Sequence, residues 1–219
     1  MASHSVFVFD AYGTLFDVHS AAARAKDEIG PAWERLSETW RTKQLEYTWI
    51  HAAAGRHATF AELTGQSLDY ATARFGGVPA GVRARLLAAF RELDAYPDVK
   101  PVLEALAARG ARLAILSNGD PDMLAAAVGA AGLEGLLTTV ISVAEVGIYK
   151  PSMKVYAHCC ERLATAPAAV SFQSSNRWDI AGAKAFGLRT VWINRAGLPD
   201  EYPAMPADIV AADLSVLLD

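Results

Sequence analysis

The rhythm of hydrophobic and polar positions changes twice along the chain. The run SVFVFD, from Ser5 to Asp10, is β-branched and aromatic and closes on a carboxylate. It predicts a buried strand with Asp10 at its carboxyl end, and Gly13 then allows a sharp turn. From about residue 20 to residue 93 the pattern is helical. Pro31 suits a first helical turn, and Trp33, Leu36 and Trp40 stand three and four apart on one apolar stripe. Further helical patterns cover residues 60–75 and 82–93, separated by Gly76 and Gly77.

After Tyr96 and Pro97 the chain alternates between helix and strand. Helices are predicted over residues 99–109, 122–131, 152–163 and 180–186, and strands over 112–116, 138–141, 169–173 and 190–193. Such alternation predicts an α/β fold: a Rossmann-like parallel sheet with helices on both faces. An all-helical insertion interrupts it after the first strand. The expected division is a core of residues 1–16 and 96–219 and a helical cap of residues 17–95. Open parallel sheets bind ligands at the carboxyl ends of their strands. Asp10, Ser117 and the group Ser174 to Asn176 all fall on that edge, with Lys150 in the loop after the strand at 138–141.

Composition narrows the function. With 53% hydrophobic residues among 219, general disorder is excluded. The net charge of -4 and the lack of a basic stretch argue against nucleic acid as a partner, while leaving room for a local cationic pocket. No apolar run approaches the ~18 residues of a membrane span, and the first five residues lack the features of an export leader. The two cysteines, Cys159 and Cys160, are neighbours, a poor geometry for a disulfide. A cytoplasmic protein with reduced thiols is expected. His4, His19, His51, His57 and His158 have no metal-ligand spacing, and neither metal nor cofactor is expected.

The hexapeptide from Phe9 to Thr14 is the most informative. A carboxylate at a strand end before a glycine turn can be held rigidly with one oxygen exposed, as an aspartate nucleophile requires. The same arrangement also serves an Asp that only caps its turn, and the hexapeptide alone leaves both open. Taken with Ser117-Asn118, Lys150-Pro151 and Ser174 to Asp179, in that order, it resembles the haloacid dehalogenase superfamily over essentially the whole chain. Phosphatases of that superfamily carry a second Asp two residues after the nucleophile and an acidic magnesium ligand after the fourth strand. Here those positions are Tyr12 and Ser175. Losing them weakens a magnesium site and removes the acid for an alcohol leaving group, but halide needs neither.

The stretch from Tyr149 to Pro151 followed by Tyr156, the group Ser174-Ser175-Asn176 with Trp178-Asp179, and the run from Arg41 to Trp49 are similar to L-2-haloacid dehalogenases in particular. That resemblance implies hydrolysis of small L-2-haloacids to D-2-hydroxy acids without metal, through an Asp10 ester. It implies Arg41 at the departing halide, Ser117 with the amides of Ala11 and Asn118 at the substrate carboxylate, and Lys150 offsetting the negative charge. It also implies water positioned by Asn176 and Asp179, support from Thr14, Ser174 and Tyr156, and an apolar wall of Tyr12, Leu45, Phe60 and Trp178. A homodimer is implied as well. Thr42, where a Gln is expected, and Gln173, in a strand usually apolar there, depart from the pattern. Two other readings remain: a magnesium-dependent phosphatase or phosphonate hydrolase of the same superfamily, and a non-catalytic small-molecule-binding protein.

Overall fold

The computed structural model describes residues 5–219. Residues 1–4 carry His4 and most of the expected absence of an export leader, and they lie outside the described residues. The first strand, β1 (Val6–Phe9), is buried along its whole length. It pairs in parallel on one side with β2 (Arg112–Ser117) and on the other with β4 (Val170–Ser174), with Phe9 opposite Ile115 and Gln173. β3 (Thr139–Ser142), β5 (Arg189–Ile193) and β6 (Ile209–Ala211) complete a parallel sheet in the order β3-β2-β1-β4-β5-β6. The order runs outward from β1 in both directions. The β1–β4 seam is therefore the point where the winding reverses, and a crevice opens there at the carboxyl ends of the strands.

The helices of the core are α6 (Val99–Ala108), α7 (Pro121–Ala130), α8 (Met153–Arg162) and α9 (Arg177–Phe186). Between β1 and α6 lie α1 (Ser20–Arg24), α2 (Lys26–Ile29), α3 (Trp33–Ala53), α4 (Phe60–Arg74) and α5 (Val82–Ala89). The insertion leaves and rejoins the core through two adjacent strands of chain. Asp17 donates its amide to the Asp94 carbonyl at 2.8 Å, Tyr96 donates to Leu15 at 3.0 Å, and Phe16 bridges Ala95. Trp40 of α3 and Tyr12 of the core both pack on Phe90, with ring centres 5.1 and 5.4 Å away. One continuous apolar core runs through sheet and insertion.

Three elements differ from the sequence reading. α9 starts at Arg177 rather than 180, with Asn176 at its N-cap, so Asp179 falls in its first turn. α5 stops at Ala89, although Phe90 and Leu93 beyond it remain buried. β6 is a half-buried edge strand of three residues, too short for a periodic signal. No helix among the described residues is long and apolar enough to cross a membrane.

Candidate active site

Asp10 follows β1 directly, and its amide still donates to the Gln173 carbonyl of β4 at 2.9 Å. Its backbone is thus fixed by the sheet. The turn that follows is drawn tight by the Ala11 carbonyl, which accepts from the amides of Thr14, Leu15 and Phe16. Gly13 sits in it at φ 91°, where a side chain would be strained. The turn brings Thr14 back to Asp10. Thr14 Oγ1 donates to Asp10 Oδ2 at 2.9 Å and accepts from the Ser175 amide at 2.8 Å, joining the β1 and β4 loops.

Two more groups converge on Asp10 Oδ2. Asn176 Nδ2 donates at 2.8 Å and also reaches the Tyr12 carbonyl at 3.1 Å. Ser174 Oγ donates at 3.4 Å while accepting from the Asn176 amide at 3.1 Å. The other oxygen, Oδ1, accepts from Lys150 Nζ at 3.1 Å. The carboxylate therefore cannot rotate without breaking bonds on both sides.

Lys150 is wholly buried. Its ammonium lies between two carboxylates, 2.8 Å from Asp179 Oδ2 and 3.1 Å from Asp10 Oδ1, with the Phe172 ring centre at 5.1 Å. Its own amide donates to Asn118 Oδ1 at 3.0 Å, which ties its loop to the end of β2. Asp179 Oδ1 accepts from Tyr156 of α8 at 2.7 Å. Burial works against the Lys150 charge, but attraction to Asp10 and Asp179 outweighs it and raises the pKa above the usual lysine value. Burial pushes the Asp179 carboxyl up to about 6, against the pull of Lys150 and with repulsion from Asp10 adding to the rise. The two shifts lean in opposite senses for the pair: the lysine favours it, the acid resists it. Both leave Asp179 ionised and Lys150 protonated near neutral pH. Burial, with Asp179 beside it, also holds the Tyr156 hydroxyl in its protonated form, so it remains a donor.

Arg41 reaches the same crevice from α3. One nitrogen donates to the Tyr12 carbonyl at 3.0 Å and to Asn176 Oδ1 at 3.3 Å, and the other to Gln44 Oε1 at 2.8 Å. Burial lowers its pKa, while Asp10 counteracts that shift, and a guanidinium retains its charge in proteins. Gln44 is itself wholly buried and donates to Thr64 of α4 at 2.7 Å. It braces Arg41 and was not singled out from sequence, although it continues the spacing of Trp40 by four residues.

Ser117 and Asn118 are buried at the end of β2, where Ser117 Oγ accepts from the Gly119 amide at 3.1 Å. Ala11 is buried in the Asp10 turn. Tyr12 and Phe60 pack together with ring centres 5.3 Å apart. Leu45 is half-buried on α3, one turn beyond Arg41, and stands apart from the main core. Trp178 stands in the first turn of α9, two residues beyond Asn176. It meets Trp49 edge-on at 5.5 Å and lines a surface groove with Met153 and Tyr202. Thr42 is exposed. Gln173 is buried and donates to Ser171 Oγ at 2.6 Å. Two further residues border the site without having been given a role from sequence, Asp120 and Tyr149. Both contact the start of α4. Among the described residues, no three His, Cys, Asp or Glu side chains cluster as a metal site.

The parallel α/β fold thus places a buried aspartate with four side-chain donors at its switch point. The family model for haloacid dehalogenase-like hydrolases matches residues 4–187. The chain belongs to that family. It is 47% identical to an (S)-2-haloacid dehalogenase of Pseudomonas sp. (strain CBS-3), with 96% of this chain and 93% of the relative covered. A solved dehalogenase structure superposes with a TM-score of 0.96 at 43% identity, covering 99% of this chain and 96% of the other. The L-2-haloacid dehalogenase of Xanthobacter autotrophicus with chloropropionic acid covalently bound superposes with a TM-score of 0.89 at 36% identity, covering 97% and 96%.

Proposed function

We propose that this protein hydrolyses small L-2-haloacids to D-2-hydroxy acids through an ester of Asp10. The observation that carries the reading is the Asp10 carboxylate itself, held by Thr14, Ser174, Asn176 and Lys150. The likeness to (S)-2-haloacid dehalogenases, one of them solved with chloropropionic acid covalently bound, supports the substrate class.

In the first step Asp10 forms a C–O bond at the halogen-bearing carbon as the C–X bond breaks. Halide leaves with the bonding pair, and a single in-line displacement inverts the carbon. Arg41 stands beside the Asp10 loop with a permanent charge suited to a growing anion. Ser117, with the amides of Ala11 and Asn118, holds the substrate carboxylate. Two like charges ~4 Å apart repel by about 4 kcal/mol at an effective dielectric near 20, so attack by one carboxylate on a molecule bearing another needs cations on both sides. Lys150 and Arg41 meet that need. In the second step water adds to the Asp10 carbonyl carbon. Asn176 and Asp179 position the water; Asp179 takes one of its protons and passes it to the leaving oxygen, which began on Asp10, so the hydroxy acid departs and the regenerated Asp10 carboxyl gives its remaining proton to solvent. Tyr12, Phe60, Leu45 and Trp178 form the apolar wall.

Metal independence is supported by the chemistry of the crevice: the place between Asp10 and Asp179 is held by an ammonium, and Ser175 stands where a metal-ligating acid would be needed. The helices between Leu15 and Tyr96 act as the cap. The free, buried thiols of Cys159 and Cys160 suit a reducing cytoplasm. Exposed Trp49, Ile50 and Tyr70 on α3 and α4 support a homodimer.

The test is chloride release from L-2-chloropropionate in excess chelator, with the D enantiomer and Asp10→Asn beside it. Release from the L enantiomer alone is expected, lowered roughly 10⁴-fold or more in the variant. Chloride that needs magnesium, or an active Asp10→Asn protein, overturns the reading. Sedimentation of the same preparation decides the dimer.

A further inference from the structure

Helix α4 starts with its free amides divided between two parts of the molecule. Its own N-cap, Thr59, accepts from the Glu62 amide at 3.1 Å, and Glu62 accepts in return from the Thr59 amide at 2.8 Å. The amides of Phe60 and Ala61 go instead to Asp120 of the core, whose two oxygens accept at 3.1 and 2.8 Å. Asp120 occupies the N-cap position of α7, in extended conformation before Pro121, yet makes no side-chain bond to that helix. Its carboxylate serves the inserted helix instead. Just before α4, the Ala58 carbonyl accepts from the Tyr149 hydroxyl at 2.6 Å.

Both contacts come from loops that build the site. Asp120 follows Asn118 by two residues, and Tyr149 directly precedes Lys150. The bond from the Lys150 amide to Asn118 joins the two loops. Phe60, the first residue of α4, lies between Tyr12 and Tyr149, with ring centres 5.3 and 6.5 Å away. A carboxylate at a helix N-terminus is favoured by the free amides and the helix dipole together.

We propose that Asp120 and Tyr149 form a latch that clamps the start of α4 onto the Asn118 and Lys150 loops and seats Phe60 over the substrate. They are positioning residues for binding, and this role rests on the dehalogenase reading of the site. Without the latch the shut arrangement is less populated, and apparent affinity falls in proportion to that fraction. Saturating substrate draws the helix back, so kcat is retained.

The experiment uses the full chain as wild type, Asp120→Ala, Asp120→Asn and Tyr149→Phe. Two readouts are taken: KM and kcat for chloride release from L-2-chloropropionate, and hydrogen exchange of the Phe60 and Ala61 amides without substrate. In Asp120→Ala, KM rises about 5- to 10-fold, kcat stays within about twofold, and both amides exchange faster by a similar factor. Asp120→Asn keeps an acceptor oxygen and falls between wild type and Ala. Tyr149→Phe raises KM by a smaller factor. An unchanged KM, a fall in kcat at constant KM, or wild-type exchange at both amides overturns the latch, even if the melting temperature drops. If Asp120→Ala does not fold, the Asn variant carries the same comparison. A wild-type protein that releases no halide sinks the dehalogenase reading alone, and the exchange measurement still decides the latch.

Discussion

At the scale of single residues, the site turns on how Asp179 keeps its charge. It is wholly buried and accepts from Lys150 and Tyr156. Burial raises its pKa from 3.8 to about 6. Its effects on activity and on stability then run in opposite directions with pH. In the proposed mechanism Asp179 accepts the hydrolytic water's proton and must be ionised, so turnover is expected to fall as pH drops through about 6. The folded carboxyl binds its proton more tightly than the unfolded one, so its ionisation weighs against the fold. That cost is absent below the unfolded pKa and complete above the folded one. The Tyr156 hydroxyl bond lowers the Asp179 pKa, and removing it must raise that value further. Tyr156→Phe is therefore expected to move the acid limb of the kcat–pH profile towards higher pH. A limb that stays put or moves down would show that Asp179 does not set it.

At the scale of elements, the approach of α9 to α8 and the Lys150 loop depends on Gly182. A Cβ built there would lie 2.6 Å from both Pro151 Cβ and the Tyr156 hydroxyl, closer than such atoms approach. Gly182→Ala must push α9 outward, at a cost of about 1–3 kcal/mol. A melting temperature lower by about 5 °C is expected, together with the alkaline shift of the acid limb seen in Tyr156→Phe, because the same hydroxyl is displaced. An unaltered melting temperature would mean the contact relaxes freely. Elements like these were unequally legible in the chain. β1 and the strand-end position of Asp10 were read from a four-residue apolar run, because a buried parallel strand leaves that signature. α3 fell within the stretch read as helical, but its apolar stripe was legible only as far as Trp40. Beyond it the buried face carries Gln44 and Thr48, so periodicity fades while the helix continues to Ala53. The gathering of Asp10, Ser117, Lys150 and Asn176 was expected from strand ends sharing one edge, whereas Asp179 entered only through the family resemblance. The ties of Asp120 and Tyr149 to α4 did not, because they span 59 to 91 residues and join groups whose local role is already plausible as a cap or a motif residue.

At the scale of the whole molecule, a second acid at a helix start is also turned to a distant partner. Asp98 occupies the N-cap of α6 without bonding that helix. Its two oxygens accept from Arg195 at 2.9 Å each, and one also accepts from the Leu214 amide at 2.9 Å. Arg195 donates further to the Thr14 carbonyl at 2.9 Å and stacks over Tyr96 at 4.0 Å. This single ion pair thus joins the loop after β5, the C-terminal segment, the start of α6 and the turn that carries Asp10. Its side chains are 16% and 17% exposed, so screening is partial. A two-pronged guanidinium–carboxylate contact is the strong form of such a pair. Arg195→Met leaves Asp98 without its cation and frees the Thr14 carbonyl, at a cost of about 2–3 kcal/mol after discounting for exposure. In a chain of this length that lowers the melting temperature by roughly 5–10 °C. Because the pair ties the Asp10 turn to the core segments beside the point where the insertion rejoins, and one apolar core runs through both parts, the variant is expected to lose stability in one cooperative transition. Separate melting of the inserted helices in the wild type would show that the shared apolar core does not couple the two parts, and a loss below about 0.5 kcal/mol in the variant would show that the pair adds little to the core.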